Sequence, residues 1–269
     1  MIRIILILFL SFPVALCAQT YQQLSEKAIE YIEMDSLSKA EELLLQALKL
    51  EPKNAKNAML FSNLGLVQRR LGEYDKALES YSFALNFAPL AVPILLDRAA
   101  INLEMGNTDR AYTDYCQVLD EDKQNKEALL MRAYIYVLRR DYPAARIDYN
   151  RLLEIDPQSY SGRLGLATLE QKEGKFKEAL EILNKMITAT PEDATLYIAR
   201  ADVEREMKHE DLDLEEAIRL NLSSADAYLL RGNIYLTQKK KALAKMDFEK
   251  AISLGIPPAD LHEQLKQCK

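Results

Sequence analysis

The chain has 269 residues, 49% hydrophobic and 28% charged, with only 8 Gly and 9 Pro. So few turn formers among abundant Ala, Leu, Glu and Lys make it a helical chain, not a β-rich or low-complexity one. A net charge of −6, with acids and bases interspersed, excludes the basic face that nucleic-acid binding uses, and short charge runs such as 120–122 and 239–241 read as solvated surface.

The first segment reads as a leader. Arg3 precedes the apolar run Ile4 to Leu10, and Val14-Ala15-Leu16-Cys17-Ala18 follows. A basic start, an apolar stretch and a small-residue cleavage site form the pattern of a secretory signal. The expectation is a signal peptide over 1–18, cleaved after Ala18, and an exported chain, periplasmic or extracytoplasmic. The run is too short to stay in a bilayer as a span, and no later run is long enough, so no membrane span is expected after cleavage. Cys17 opens a second reading, a lipid anchor on an envelope-attached component, although Leu16 stands where lipoprotein signals want a small residue. Of the remaining cysteines, Cys116 is expected as a small buried residue and Cys268 as a free thiol.

From residue 21 onward the chain repeats. Ala40, Ala77, Ala145 and Ala179 each stand 12 residues before a proline, Pro52, Pro89, Pro157 and Pro191. Pro157 and Pro191 are 34 residues apart, Pro89 and Pro157 two such periods. The units run 21–54, 58–91, 92–125, 126–159, 160–193, 194–224 and 225–258, with residues 55–57 as an insertion and the sixth unit shortened. A closing helix over 259–269 carries Leu261 and Leu265 at helical spacing. Each unit offers a small residue on its first helix (Ala28, Gly65, Ala99, Ala133, Ala167, Ala201, Gly232) and, in six units, an Ala on its second. A large residue follows four positions on: Leu44, Tyr81, Tyr115, Tyr149, Leu183, Leu214 and Phe248. Small residues facing each other let two helices pack closely, and the proline stops the second helix.

These features resemble the tetratricopeptide repeat family over essentially the whole chain after the leader. Trp is absent, and Lys123, Leu222 and Ile256 replace the proline in three units. The resemblance implies an all-α fold: an α-solenoid, a right-handed superhelix of about seven helix–turn–helix units with a C-terminal capping helix.

One departure from the family pattern is systematic. Arg98, Arg132, Arg200 and Arg231 precede the small first-helix residue in four units, and the same units carry Asp114, Asp148, Asp213 and Asp247 before the large second-helix residue. Arg and Asp occur together or not at all. The expectation is an Arg–Asp bridge inside each of these hairpins, structural in role. Pairing across units fails, because Arg98 would face Ser80 and Arg200 would face Ile182.

No catalytic constellation emerges. His209 and His262 have no metal-spaced companion, and Gly162-Arg163-Leu164-Gly165 matches no phosphate loop. No cofactor, no metal and no enzymatic activity are expected. Binding remains: the resemblance implies a concave face, lined by first helices, that grips another protein or a peptide. The register places Arg69, Leu96, Leu130, Tyr134, Leu164, Thr168, Ile198, Leu229 and Asn233 along that face, with Arg70 beside Arg69. Ser62, Leu66, Asp97 and Glu127 hold the places where a chaperone-type carboxylate clamp carries Lys and Asn, so that clamp is not expected. The function read from the sequence is an exported interaction scaffold. In the sixth unit, a shortened helix is expected near Met207–Asp211, with His209 in an exposed turn.

Overall fold

The computed structural model describes residues 20–207 and 213–268, Asp213 as backbone only. The leader with Cys17, and His209 with most of the segment where a shortened helix is expected, lie outside these residues. Among the described residues the structure is all α, with no strand. Helices α1 (Tyr21–Glu33) and α2 (Leu37–Leu50) form the first hairpin, α3 (Asn57–Arg70) and α4 (Tyr74–Phe87) the second, α5 (Val92–Glu104) and α6 (Thr108–Glu121) the third. The fourth is α7 (Lys126–Leu138) with α8 (Tyr142–Ile155), the fifth α9 (Tyr160–Lys172) with α10 (Phe176–Ala189). The sixth is α11 (Ala194–Glu206) with α12 (Asp213–Leu220), the seventh α13 (Ala225–Thr237) with α14 (Lys241–Ser253). The chain divides into two compact units, one ending at Glu121 and one beginning at Asp122. Each is a stack of hairpins, the α-solenoid arrangement.

Local chemistry sets the helix ends. Before each repeat proline the chain leaves the α region: Glu51, Ala88, Asp156 and Thr190 have φ of −131, −138, −134 and −137. The proline ring clashes with an α-helical residue before it, so each second helix stops two residues short of the ring. Five of the seven first helices begin on side-chain caps; α3 and α5, behind Lys56 and Ala91, do not. Thr20 closes a capping box with Gln23, and Asn125, Ser159, Asp193 and Ser224 accept from first-turn amides.

Between the two helices of a hairpin, one residue adopts the left-handed conformation. It is Gly72, Gly106 or Gly174 in three hairpins and Asp35, Arg140 or Lys239 in three others, at φ between 55 and 79. The amide of the next residue returns to a carbonyl in the last turn of the first helix, as in Glu73 to Gln68, Asp141 to Tyr136 and Lys240 to Tyr235 at 2.8, 2.9 and 2.8 Å. This is the Schellman closure, which satisfies carbonyls that the helix end leaves open.

Packing inside hairpins follows the small-against-large rule. Ala28, Ala40 and Leu44 are fully buried in the first hairpin and join Leu60 and Leu64 of the next. A Cβ at Gly65 would sit 2.9 Å from the Tyr81 ring, and one at Gly232 would sit 2.7 Å from Phe248. Gly165 is the tightest: a Cβ there would lie 2.5 Å from Tyr149 of the preceding hairpin. The Gly-rich stretch of α9 is therefore a packing seat for an aromatic ring. Burial, with Tyr134 nearby, pushes the Tyr149 phenol up to about 12.

The structure departs from the sequence reading in three places. Asn57, expected as the end of an insertion, opens α3 and is fully buried. It accepts from the Tyr21 hydroxyl at 2.9 Å and donates to the Glu51 carbonyl at 2.8 Å, so the extra residues are a hydrogen-bonded joint between two hairpins. The closing segment is not one helix. Pro257 and Pro258 lack amide donors, and a 3-10 turn, Pro258–Leu261, precedes a short α15 (His262–Gln267); Leu261 is still buried against Phe248 and Ala251. Cys116 is half-buried, because it sits at the edge of the α6 stripe formed by Ala111, Asp114, Tyr115, Val118 and Leu119. In the sixth hairpin α11 keeps thirteen residues, and α12 is described from Asp213 to Leu220.

Candidate functional site

Three consecutive first helices, α9, α11 and α13, line an open groove of about 620 Å³ in the second unit. Leu164, Thr168, Gln171 and Lys172 come from α9. Ile198, Ala199, Asp202 and Arg205 come from α11, and Asp226, Leu229, Leu230 and Asn233 from α13. Within each helix these residues recur three or four positions apart, so each set occupies one face. Leu164, Ile198 and Leu229 make an apolar floor, each half-buried. Ile198 and Leu230 also pack on Ala201, Leu214 and Ile234 beneath, which holds the floor in place.

A polar tie fixes the distance between α9 and α11. The Gln171 amide donates to Asp202 at 2.7 Å and to Glu206 at 2.9 Å, and Arg205 donates to the other Asp202 oxygen at 2.7 Å. Lys172, Asp226 and Asn233 line the same groove and make no side-chain hydrogen bond or ion pair among the described residues. An apolar floor ringed by unengaged donors and acceptors can hold an extended segment of chain: side chains go down onto the floor and backbone polar groups go to the rim.

The other residues assigned to this face lie elsewhere. Leu130 and Tyr134 are on α7, Tyr134 exposed and Leu130 packed against the Ala133–Tyr149 cluster, and neither lines this groove. Leu96 is half-buried on α5 in the first unit. Arg69 is committed to an ion pair with Glu104, which joins α3 to α5, while Arg70 reaches Asp35 at 2.7 Å. Register alone cannot show that a cation already has a carboxylate of its own.

The arginines of the four special hairpins do not line this groove. Arg98 donates to both oxygens of Asp114 at 3.0 and 2.6 Å, Arg132 to Asp148 at 2.7 and 2.8 Å, and Arg231 to Asp247 at 2.8 and 2.9 Å. All three carboxylates are buried. The hydrogen bonds that Arg231 donates to Asp247 raise the guanidinium above its ordinary value. The side chain of Asp213 lies outside the described residues. Its counterpart Arg200 reaches the preceding hairpin, donating to Asn184 at 2.6 Å, as Arg98 also does to Ser82 at 3.2 Å. Contact across hairpins therefore exists, two positions beyond where the sequence reading tested for it.

A second network escaped the sequence reading. Arg146 of α8 pairs with Glu170 of α9 and with Glu173, the residue that caps that helix, and Lys175 completes the network at 3.0 Å from Glu173. Burial pushes the Glu173 carboxyl up, but the hydrogen bonds from Lys175 and Arg146 overcome it and hold it below the usual range. Among the described residues no group of His, Cys, Asp and Glu could hold a metal ion, and no helix is long and apolar enough to cross a membrane.

Family models described as tetratricopeptide repeat match residues 26–91 and 96–160, 139–203, and 225–254. The chain belongs to the tetratricopeptide repeat (TPR) family. It is similar to a crystallised TPR protein from Parabacteroides merdae, with 36% identity and a TM-score of 0.82 over 92% of this chain and 98% of that one. The fold is also that of YrrB, 17% identical with a TM-score of 0.55 over 68% of this chain and 95% of that one. A DnaJ homolog subfamily C member 7 homolog of Dictyostelium discoideum is 21% identical over 89% of this chain and 50% of that protein. The chain spans about half or less of the length of the curated relatives it matches. TPR proteins commonly mediate protein–protein or peptide interactions and are generally non-catalytic scaffolds.

Proposed function

We propose that this TPR chain is an exported adaptor that holds a segment of another protein in the groove of α9, α11 and α13. The observation that carries the reading is the apolar floor of Leu164, Ile198 and Leu229 beside Lys172, Asp226 and Asn233, which are unengaged among the described residues. A segment with an apolar residue over Ile198 and polar neighbours suits that surface. The structure of YrrB is described as that of a TPR protein with an unusual peptide-binding site, so peptide binding is attested on this fold. Export rests on Arg3, the apolar run after it and the Ala18 cleavage site.

Affinity capture from an envelope extract tests the binding. Thr168 is exposed in the groove, so Thr168→Arg blocks the groove without disturbing the core. A protein retained by the natural chain and lost on T168R supports the adaptor; no retained protein, or equal retention by both, contradicts it. The intact mass of the exported chain tests the leader. A chain beginning at Gln19 is the expected form. Cys17 supports a second reading, a lipid-anchored envelope component, and a diacylated N-terminal Cys17 would establish it instead.

A further inference from the structure

A separate cavity of about 290 Å³ opens in the first unit between α4, α5 and α6. Its walls include Ser82, Arg98, Asn102, Arg110 and Asp114. Asn102 is 3% exposed, and its Oδ1 is buried with no hydrogen-bond partner. An unsatisfied buried carboxamide oxygen is costly and uncommon.

The repeat itself shows why this one is orphaned. The equivalent position in the second hairpin is Gln68, which donates to Glu41 of the preceding second helix at 3.0 Å and accepts from Ser80 at 2.7 Å. In the fifth hairpin it is Glu170, which accepts from Arg146 of the preceding second helix at 2.9 Å. For Asn102 the residue matching Glu41 and Arg146 is Leu78, which has nothing to offer. The residue matching Ser80 is Asp114, already held by Arg98. Asn is also one methylene shorter than Gln. The slot that two other hairpins fill from within is left as a cavity with a polar wall.

The charges around it select a ligand class. Arg98 gives three of its five N–H donors to Asp114 and Ser82, and the exposed Arg110 has no side-chain partner among the described residues. Two guanidinium groups against one carboxylate favour an anion. The volume lies at the lower end of ligand pockets, roughly 300–1,000 Å³, which suits a single small molecule.

We propose that this cavity binds a small carboxylate that also carries an N–H or O–H donor, the chemistry of α-amino and α-hydroxy acids. The carboxylate pairs with Arg110 and the remaining donors of Arg98, and the ligand's own donor satisfies Asn102. The site is independent of the α9–α11–α13 groove.

Titration calorimetry on the full exported chain tests it, with one panel of α-amino acids and one of α-hydroxy acids. Acetate and acetamide serve as probes that carry half of the chemistry each. One panel is expected to contain a binder, with acetate and acetamide weaker by at least about tenfold. Arg110→Gln, on an exposed side chain, is expected to weaken that binder about tenfold. The double variant L78R/N102E recreates the Arg146–Glu170 arrangement, fills the cavity from within and is expected to abolish binding while the helical signal persists. If L78R/N102E does not fold, R110Q decides. Failure of both panels to bind, unchanged affinity in R110Q, or a crystal soaked with both panels that holds only an ordered water in the cavity would each overturn the proposal.

Discussion

Arg98 and Asp114 lie sixteen residues apart and meet across the third hairpin through two hydrogen bonds, with the Asp114 side chain 3% exposed and the Arg98 side chain 24% exposed. Taking a carboxylate this far from water is unfavourable unless it is paired with good geometry, and here both oxygens are engaged. Asp114→Ala leaves the arginine without its counter-ion. Because Arg98 keeps some solvent, the loss belongs at the lower end of the range for broken buried pairs, about 3 kcal/mol. Urea unfolding measures it. The double variant R98M/D114L removes both charges and is expected to recover most of that loss; a double variant as unstable as D114A shows that the pair adds more than charge compensation.

The hairpin turns give a second prediction. Arg140 holds a left-handed conformation that Gly106 and Gly174 hold in the neighbouring hairpins. A Cβ makes that conformation unfavourable by about 1–2 kcal/mol. Arg140→Gly is expected to stabilise the chain by about 1 kcal/mol, and Gly106→Ala to destabilise it by a similar amount. Thermal unfolding of the two variants should shift in opposite directions; shifts of the same sign contradict the turn geometry.

Overpacking supplies a third. Gly165→Ala places a methyl group 2.5 Å from the Tyr149 ring atoms. Tyr149 is anchored by Ala133, Ala145 and Leu169, so the ring has little room to retreat, and a loss of about 1–3 kcal/mol is expected. The same burial, with Tyr134 nearby, pushes the phenol up to about 12. Thermal unfolding of G165A measures the loss, and unchanged stability would contradict this packing.

Acid is the fourth probe. Glu173 has its folded pKa held below the unfolded value by Lys175 and Arg146. Its contribution is therefore present above the unfolded pKa, about 4.3, and is lost as the pH falls through the folded value. Glu173→Gln is expected to cost about 1 kcal/mol at neutral pH, in keeping with a partly exposed ion pair. Chemical unfolding as a function of pH should show the gap to the natural chain closing on acidification. A gap that is constant with pH assigns the effect to packing instead.

How much of this was legible depended on whether a feature repeats. The 34-residue spacing, the pre-proline helix stops and the pairing of Arg98 with Asp114 or Arg132 with Asp148 recur at one offset, so they can be read from the chain alone. Gly72, Gly106 and Gly174 also stand at that period, which could have revealed the left-handed turn position. The Arg146–Glu170–Glu173 network occurs once and joins different hairpins, so no periodicity announces it. The groove was legible through Leu164, Thr168, Ile198, Leu229 and Asn233, which the register puts on matching faces of α9, α11 and α13. Arg69 was not, because its pairing with Glu104 depends on where two long side chains reach. The orphaned carboxamide of Asn102 was invisible because it arises from what Leu78 lacks.

The adaptor reading stands or falls on where a partner touches the chain. Site-specific photo-crosslinking in the producing cell measures this, with a photoreactive residue placed in turn at Thr168, in the groove, and at Ile147, an exposed residue of α8 outside it. The account predicts a discrete protein adduct from position 168 and none from position 147. Adducts from position 147 alone, or equal labelling at both positions, would contradict it.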